Sequence, residues 1–444
     1  MKKILLVLFI ILAAPTLKAQ DSNTQFSLKQ AIDFALTNQP TVKNAILDEA
    51  IARKKVNETI GIGTPQIEGS ADVNKFIEIP TSFVPAEFFG GNAGEFAAVR
   101  FGTNYTSSLG LTASQLLFDG SYLVGLQASR TYMELSRKST IQTKIETLIN
   151  VSKAYYGVLV YDSRLEIIQA NIDRLQKLKN DTKALFDNGF AEKIDVDRVE
   201  LSYNNLLIEK EKIIRYRTLS YALLKFQMGY NQAQPITLTD KLDESAIQNV
   251  NTPDSVDVNK RPEFGVVSVQ RKLQELDMKR YKSTFLPSLL AFGNVSANAF
   301  RNEFNIFDTS ERWFPTAIVG LKLSVPIWDG LQKNARLSQA KLSLEKVDNS
   351  IALLKSSFAL EYENARSTYQ NNISTLVTVK KNRELATEIA RISKVKYDNG
   401  VGSSLELVDA ESSMKEADAN YFSTLYDAII SKIDLEKALG ATTY

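Results

Sequence analysis

YDNG (397–400) and FDNG (186–189) each interrupt a run that otherwise reads as unbroken helix. Asp-Asn-Gly is a turn signal: Asn ends a helix, and Gly takes the left-handed conformation beyond it. Upstream of each turn lies a proline-free segment, 121–187 and 331–398. At 1.5 Å per residue each predicts a helix of about 100 Å. In the second, Val347, Ile351, Leu354, Phe358, Tyr362, Ala365, Tyr369, Ile373 and Leu376 step by threes and fours. That period, close to 3.6, draws one nearly straight apolar stripe. Downstream of each turn a second helical segment runs back, so the chain is expected to hold two antiparallel coiled hairpins, 121–228 and 331–440.

The turns belong to a wider repetition. Asp187 and Asp398 lie 211 positions apart; LLFDG (116–120) and PIWDG (326–330) place Asp119 and Asp329 210 apart. Pro40 and Pro65 are separated by 25 positions, as are Pro262 and Pro287, at an offset of 222 between the halves. Four pairs in a consistent order indicate a tandem duplication. The first half carries about 12 extra residues between its second proline and LLFDG. The expected division is a first repeat at 20–229, a polar connector at 230–261 containing TPDSVDVNK, and a second repeat at 262–444. Each repeat opens with helices, at 40–60 and 262–284; before the first, Ser27 and Gln30 form a capping-box pair ahead of AIDFAL.

Between these helices and the long hairpins lie alternating segments that read as strands, at about 66–76, 105–118, 288–299 and 317–328. Their apolar faces carry Ile67, Gly69, Ala71 and Val73; Leu109, Leu111, Ala113 and Leu117; Leu289, Ala291, Gly293, Val295 and Ala297; and Ala317, Val319, Leu321, Leu323, Val325 and Ile327. The opposite faces carry Ser, Asn, Thr, Asp and Lys. Four strands cannot close on themselves, and an open edge in lipid leaves backbone groups unsatisfied. Strands in a membrane must therefore be pooled among chains: two chains would give a filled eight-stranded barrel, three a twelve-stranded one with a wet lumen. The other reading is a soluble β-element capping a coiled coil. Segment 77–104, rich in aromatics, Gly and Pro, reads as an external loop or as an irregular one.

Composition excludes much else. Residues 1–19 read as a secretory signal: Lys2 and Lys3, an apolar run from Ile4 to Ala14, and a cleavage site at Leu17-Lys18-Ala19. Without its three lysines, 50 Lys+Arg face 51 Asp+Glu, a near-neutral balance that gives no electrostatic reason to bind nucleic acid. The chain has no Cys and no His, which removes disulfides, Ser-His-Asp and Cys-His catalysis, and ordinary zinc sites. A carboxylate pair, as in glycoside hydrolysis, is the one catalytic option left, but the acids are interleaved with Lys and Arg as on a solvated surface. Neither an enzyme nor a cofactor is expected. Beyond the signal no run of about 18 apolar residues occurs, so helical membrane spans are not expected either.

The duplicated halves, the strand–[FW]-Asp-Gly–long-helix order, and the paired turns FDNGFAEKIDVDRVE and YDNGVGSSLELVDAESS resemble the TolC-like outer-membrane efflux proteins. NKRPEF (259–264) and LEKALG (435–440) look like that family too. The resemblance covers essentially the whole chain after the signal. It implies a mainly α fold with a membrane β-barrel: a homotrimer with a twelve-stranded barrel in the outer membrane and a helical tunnel through the periplasm. Such a channel is the exit duct of an inner-membrane pump, met at the helix tips by a periplasmic adaptor. The competing class is an envelope coiled-coil protein, structural or adhesive, without a pore.

By the same resemblance, acids just past the turns line the tunnel entrance. They fall on Asp195, Glu406 and Asp409, the last two sharing a helix face at i, i+3. An ordinary reading stands beside it: acids in a first helical turn suit the dipole, and Ser403 with Glu406 reads as a capping box. Tyr397 matches an aromatic of the family's gate, whereas the gate arginine of some members falls on Gly402. Asn188, Gly189, Asn399 and Gly400 form the tips that would meet the adaptor. Phe118 and Trp328 stand where strand gives way to helix, either as an interfacial aromatic belt or as junction packing.

Overall fold

The computed structural model describes residues 24–442 apart from 245, 246, 248, 249, 251, 254, 255 and 309, so the signal segment 1–19 lies outside the described residues. The chain forms two compact units, and each draws on both halves of the sequence.

The first unit comprises the described residues to Ile46, Thr140–Pro262, and those from Lys355 on. A two-residue strand β1 (Gln25–Phe26) precedes helix α1 (Leu28–Asn38), whose Ser27/Gln30 capping box is formed as expected. Strand β1 pairs in parallel with β6 (Thr237–Leu238), so the connector is not merely a polar spacer. Asp240 accepts a hydrogen bond from the Leu28 amide at 2.8 Å and lies 2.8 Å from the hydroxyl of buried Tyr155. Further on, Glu244 accepts from Lys380 and from the Tyr421 hydroxyl, both at 3.0 Å. Arg261 ends the connector almost wholly buried, its guanidinium stacked 4.3 Å from the Phe358 ring centroid. It donates to Glu361 at 2.8 Å and to the Ala438 carbonyl at 3.1 Å.

This unit takes its core from the long helices. Helix α3 (Gly120–Asp187) has 68 residues and returns through α4 (Lys193–Met228); α6 (Gln332–Asp398) has 67 and returns through α7 (Ser404–Leu439). Of the stripe read on α6, Phe358, Tyr362, Ala365, Tyr369 and Leu376 are buried, while Leu353 and Leu360 off the stripe are exposed. Ile168, Ile172, Leu175 and Leu178 of α3 pack with Val199, Leu206 and Ile213 of α4 and with Leu407 of α7. This cluster joins the two hairpins.

The second unit comprises Leu47–Ser139 and Glu263–Leu354. It holds most of α2 (Pro40–Ile62), all of α5 (Pro262–Ser283) but its first residue, and an antiparallel sheet. The strands are β2 (Gln66–Lys75), β5 (Tyr105–Phe118), β7 (Ser288–Arg301) and β8 (Phe314–Ser324), in the order β2-β5-β7-β8. The last strand runs from 314 to 324 rather than from 317 to 328. Pro326 has no amide to donate and cannot extend a ladder, so Val325, Ile327 and Trp328 lie beyond the strand.

Register decides which residues share a face. Ile67 pairs with Ala113, Gly69 with Leu111 and Ala71 with Leu109; Leu109 and Leu111 then pair with Ala297 and Val295, and Val295 and Ala291 with Ala317 and Leu321. The paired members of all four apolar sets therefore fall on one face of the sheet; Leu117 lies at a register shift, and Val325 and Ile327 lie outside β8. The large side chains of that face are exposed, Val319 at 89% and Ile67 at 76%. Ser70, Asp72, Ser108, Thr112, Asn294 and Ser296 occupy the other face, where Asn294 donates to Thr112 at 2.8 Å. Strands β2 and β8 each present one edge with no partner among the described residues.

The segment between β2 and β5 is not irregular. It forms a second antiparallel hairpin, β3 (Thr81–Pro85) and β4 (Phe96–Arg100), joined through a 3-10 turn at Ala86–Phe89. The counterpart between β7 and β8 is short, 302–313, so the first half's additional residues fold as this hairpin. No helix among the described residues is long and apolar enough to cross a membrane.

Candidate functional site at the hairpin turns

Both turns lie in the first unit and use the same chemistry. Gly189 (φ 80°) and Gly400 (φ 72°) take the left-handed conformation. Gly189 N donates to Phe186 O at 2.9 Å and Phe190 N to Leu185 O at 2.8 Å; Gly400 and Val401 donate to Tyr397 O and Lys396 O at 3.0 Å. These paired bonds form a Schellman motif, which satisfies the last carbonyls of each long helix. Asn188 and Asn399 donate their side-chain amides to the carbonyls four residues back, Ala184 and Val395, each at 2.7 Å. Lys183–Asp187 and Lys394–Asp398 add matching ion pairs one turn before the end. The residue after each glycine is apolar and exposed, Phe190 at 81% and Val401 at 78%, with Ile194 and Leu405 exposed four positions on. The apolar type at those positions in both copies was the signal for this tip surface in the sequence.

The three acids past the turns are engaged differently. Asp195 accepts from the Glu192 amide at 3.1 Å, so it helps start α4, and it also accepts from the hydroxyl of buried Ser404 in the other hairpin. Glu406 has its amide bonded to Ser403 Oγ at 3.1 Å. Its carboxylate pairs with Lys396 across the turn, also at 3.1 Å, instead of returning to the Ser403 amide as in a full capping box. Asp409 is exposed one turn further along α7.

Tyr397 packs against the cluster joining the hairpins, and its hydroxyl lies 3.0 Å from Oγ1 of Thr182, which is fully buried in α3. Gly402 is held close: its amide donates to Lys396 O at 3.1 Å, and a Cβ there would stand 2.9 Å from Lys396 Cβ and 3.1 Å from Tyr397 N. No arginine fits at 402 unless the turn shifts. Deeper in the hairpins, Arg174 of α3 donates to Glu411 of α7 at 2.9 and 3.2 Å and to Asn171 at 2.8 Å. Glu411 is buried. Neither residue stood out in the sequence, where they read as ordinary surface charge.

In the second unit, Phe118 is the last residue of β5 and faces Leu289 across a register shift, whereas Trp328 lies in the stretch after β8, 78% exposed. The Asp of each [FW]-Asp-Gly caps a helix: Asp119 accepts from Tyr122 N at 2.8 Å, and Asp329 from Lys333 N at 3.0 Å.

The family model described as "Outer membrane efflux protein" matches residues 31–210 and 259–441. The outer membrane protein TolC of Vibrio cholerae serotype O1 is 21% identical over 339 residues, spanning 75% of this chain and 76% of that protein. OprJ of Pseudomonas aeruginosa is 22% identical over 426 residues, 93% and 84% of the two chains. Among solved structures, CusC superposes with a TM-score of 0.75 at 17% identity, covering 93% of this chain and 92% of that one. The CmeC outer membrane channel of Campylobacter jejuni gives 0.73 at 15% identity, covering 94% and 86%.

Proposed function

This chain belongs to the outer membrane efflux protein family, and we propose that three copies form an exit duct through which an inner-membrane pump and a periplasmic adaptor deliver cargo to the exterior. The observation that carries this reading is the sheet, apolar on one face, mostly polar on the other, and open at both edges. In lipid, each unpaired amide or carbonyl along β2 and β8 would cost several kcal/mol, on the order of the figure for any polar group left unbonded in hydrocarbon. Pairing β8 of one copy with β2 of the next removes both edges, and about twelve strands leave a water-filled lumen lined by the polar face. A pore-less coiled-coil protein has no use for an exposed apolar sheet face.

The tips at Asn188, Gly189, Asn399 and Gly400, with exposed Phe190 and Val401, are the surface offered to the adaptor. Glu406 and Asp409 line the periplasmic entrance, while Asp195 and Tyr397 hold one hairpin against the other. With Gly402 in the arginine position, the entrance is held by these links inside each chain. Phe118 and Trp328 face the membrane interface. The duct is passive and needs no cofactor.

Extracted from membranes and reconstituted, the chain should run as a heat-modifiable trimer and give discrete single-channel conductance. A soluble monomer without conductance would overturn the reading. A photoreactive residue at Phe190 or Val401 should cross-link the adaptor in cells, and failure at both positions would count against tip docking.

A further inference from the structure

The polar face of the sheet carries some apolar side chains, Phe292 against Gly320 and Ile318 opposite Asn294 in mid-strand, but its phenylalanines gather at one end. Strand β2 ends, β5 begins, β7 ends and β8 begins where the connecting loops lie, opposite the end that joins the helices. At that end Asn298 pairs with Phe314, and Thr106 with Phe300, so both phenylalanines share the face of Ser108, Thr112 and Asn294. Their rings lie 6.1 Å apart, tilted by 52°, and each remains about half exposed. Phe76 continues β2 by one residue, its amide donating to Asn104 O at 2.8 Å, and alternation places it on the same face as Asn74 and Asp72. Further from the loops that face carries Glu68 and Asp72 on β2, set against Lys322 on β8.

Unlike Phe292, whose ring covers Gly320, these phenylalanines stay largely open, Phe300 and Phe314 about half exposed and Phe76 37%, and burial is what stabilises an aromatic ring. Aromatic faces attract other rings and organic cations, and acids deeper along the same face attract positive charge.

We propose that Phe76, Phe300 and Phe314 form an aromatic collar at the outer mouth of the lumen that selects for organic cations bearing aromatic rings. This rests on the channel reading, which makes the polar face the lumen wall and the loop end the exterior. In a trimer the collar holds nine rings, three from each chain. Cargo meets it last, after the acids on β2, so that charge draws the cation in and the rings retain it briefly before release.

The test is block of single-channel current by tetraphenylphosphonium compared with tetrabutylammonium, a cation without rings, each added from the loop side. The wild-type channel should be blocked by tetraphenylphosphonium at a concentration lower by about tenfold, the scale of one or two aromatic contacts. In Phe300→Leu/Phe314→Leu, which keeps apolar bulk and removes the rings, that ratio should fall towards one with conductance preserved. A Phe76→Leu/Phe300→Leu pair gives an independent version should the first not assemble. Equal block by the two cations in wild type, or a ratio unchanged in either variant, would overturn the collar and leave the channel standing. Wild-type protein without conductance would overturn the channel reading and the collar with it.

Discussion

Tyr397→Phe isolates one atom of the contact between hairpins. The hydroxyl lies 3.0 Å from Thr182 Oγ1, and Thr182 is fully buried, so no water replaces the lost partner. Leaving a buried hydroxyl unbonded costs about 1–3 kcal/mol, and back-bonding of the threonine to its own helix would recover part of it. We therefore expect a loss of about 1 kcal/mol in the free energy that closes one hairpin onto the other, or about fivefold in the opening equilibrium. The chain has no cysteine, which makes thiol labelling a clean assay. Val199 is buried in the cluster that joins the hairpins, so Val199→Cys reports their separation. In that background Tyr397→Phe should raise the labelling rate about fivefold, Thr182→Val by a similar amount, and the two together by no more than either alone. Labelling unchanged within twofold, or fully multiplicative effects, would show that the bond does not hold the hairpins together.

Other consequences are open to direct measurement. Glu406→Gln with Asp409→Asn should lower the cation selectivity of the reconstituted channel, and unchanged reversal potentials in a salt gradient would exclude an acidic entrance. Arg174→Ala removes the guanidinium from buried Glu411 and should destabilise the protein by about 1–3 kcal/mol, since Arg174 itself is partly solvent-screened, seen as a lower melting temperature; Arg174→Ala/Glu411→Leu should recover much of it. Burial alone pushes the Glu361 carboxyl up, but hydrogen bonds and charge from Arg261 and Lys437 outweigh it and hold the group below its ordinary value of 4.5. Its stabilisation is therefore complete above that value and is lost as the pH falls through the lowered pKa. Melting temperature should drop on that acid limb, and Glu361→Gln should flatten it.

The parts of the fold legible in the sequence were those with a period or a punctuation mark. DNG, the stripe from Phe358 to Leu376 and the alternation of Leu109, Leu111 and Ala113 each reflect a local rule, and each stands as read. Features set by tertiary pairing were hidden. Strands β1 and β6 are two residues each, too short for any pattern, and exist because Gln25–Phe26 meets Thr237–Leu238 across the chain. The β3–β4 hairpin mixes Phe, Ala and Pro without alternation, so it resembled loop. At the site, the turn glycines followed from backbone rules, whereas the links Asp195–Ser404, Tyr397–Thr182 and Arg174–Glu411 join residues more than 200 positions apart. Only folding reveals which surface charges become internal ones.

The open edges of β2 and β8 bear on biogenesis as much as on architecture. In the proposed trimer a lone copy would have nowhere to pair its edge amides in a bilayer, so insertion and association would be coupled. It follows that a copy with a damaged edge would act on its neighbours. If β8 were interrupted in half of the chains of a mixed population, with random association, only about one-eighth of trimers would contain none of the damaged copies. Such an allele would be dominant over the wild type, with the fraction of intact trimers falling as the third power of the wild-type share.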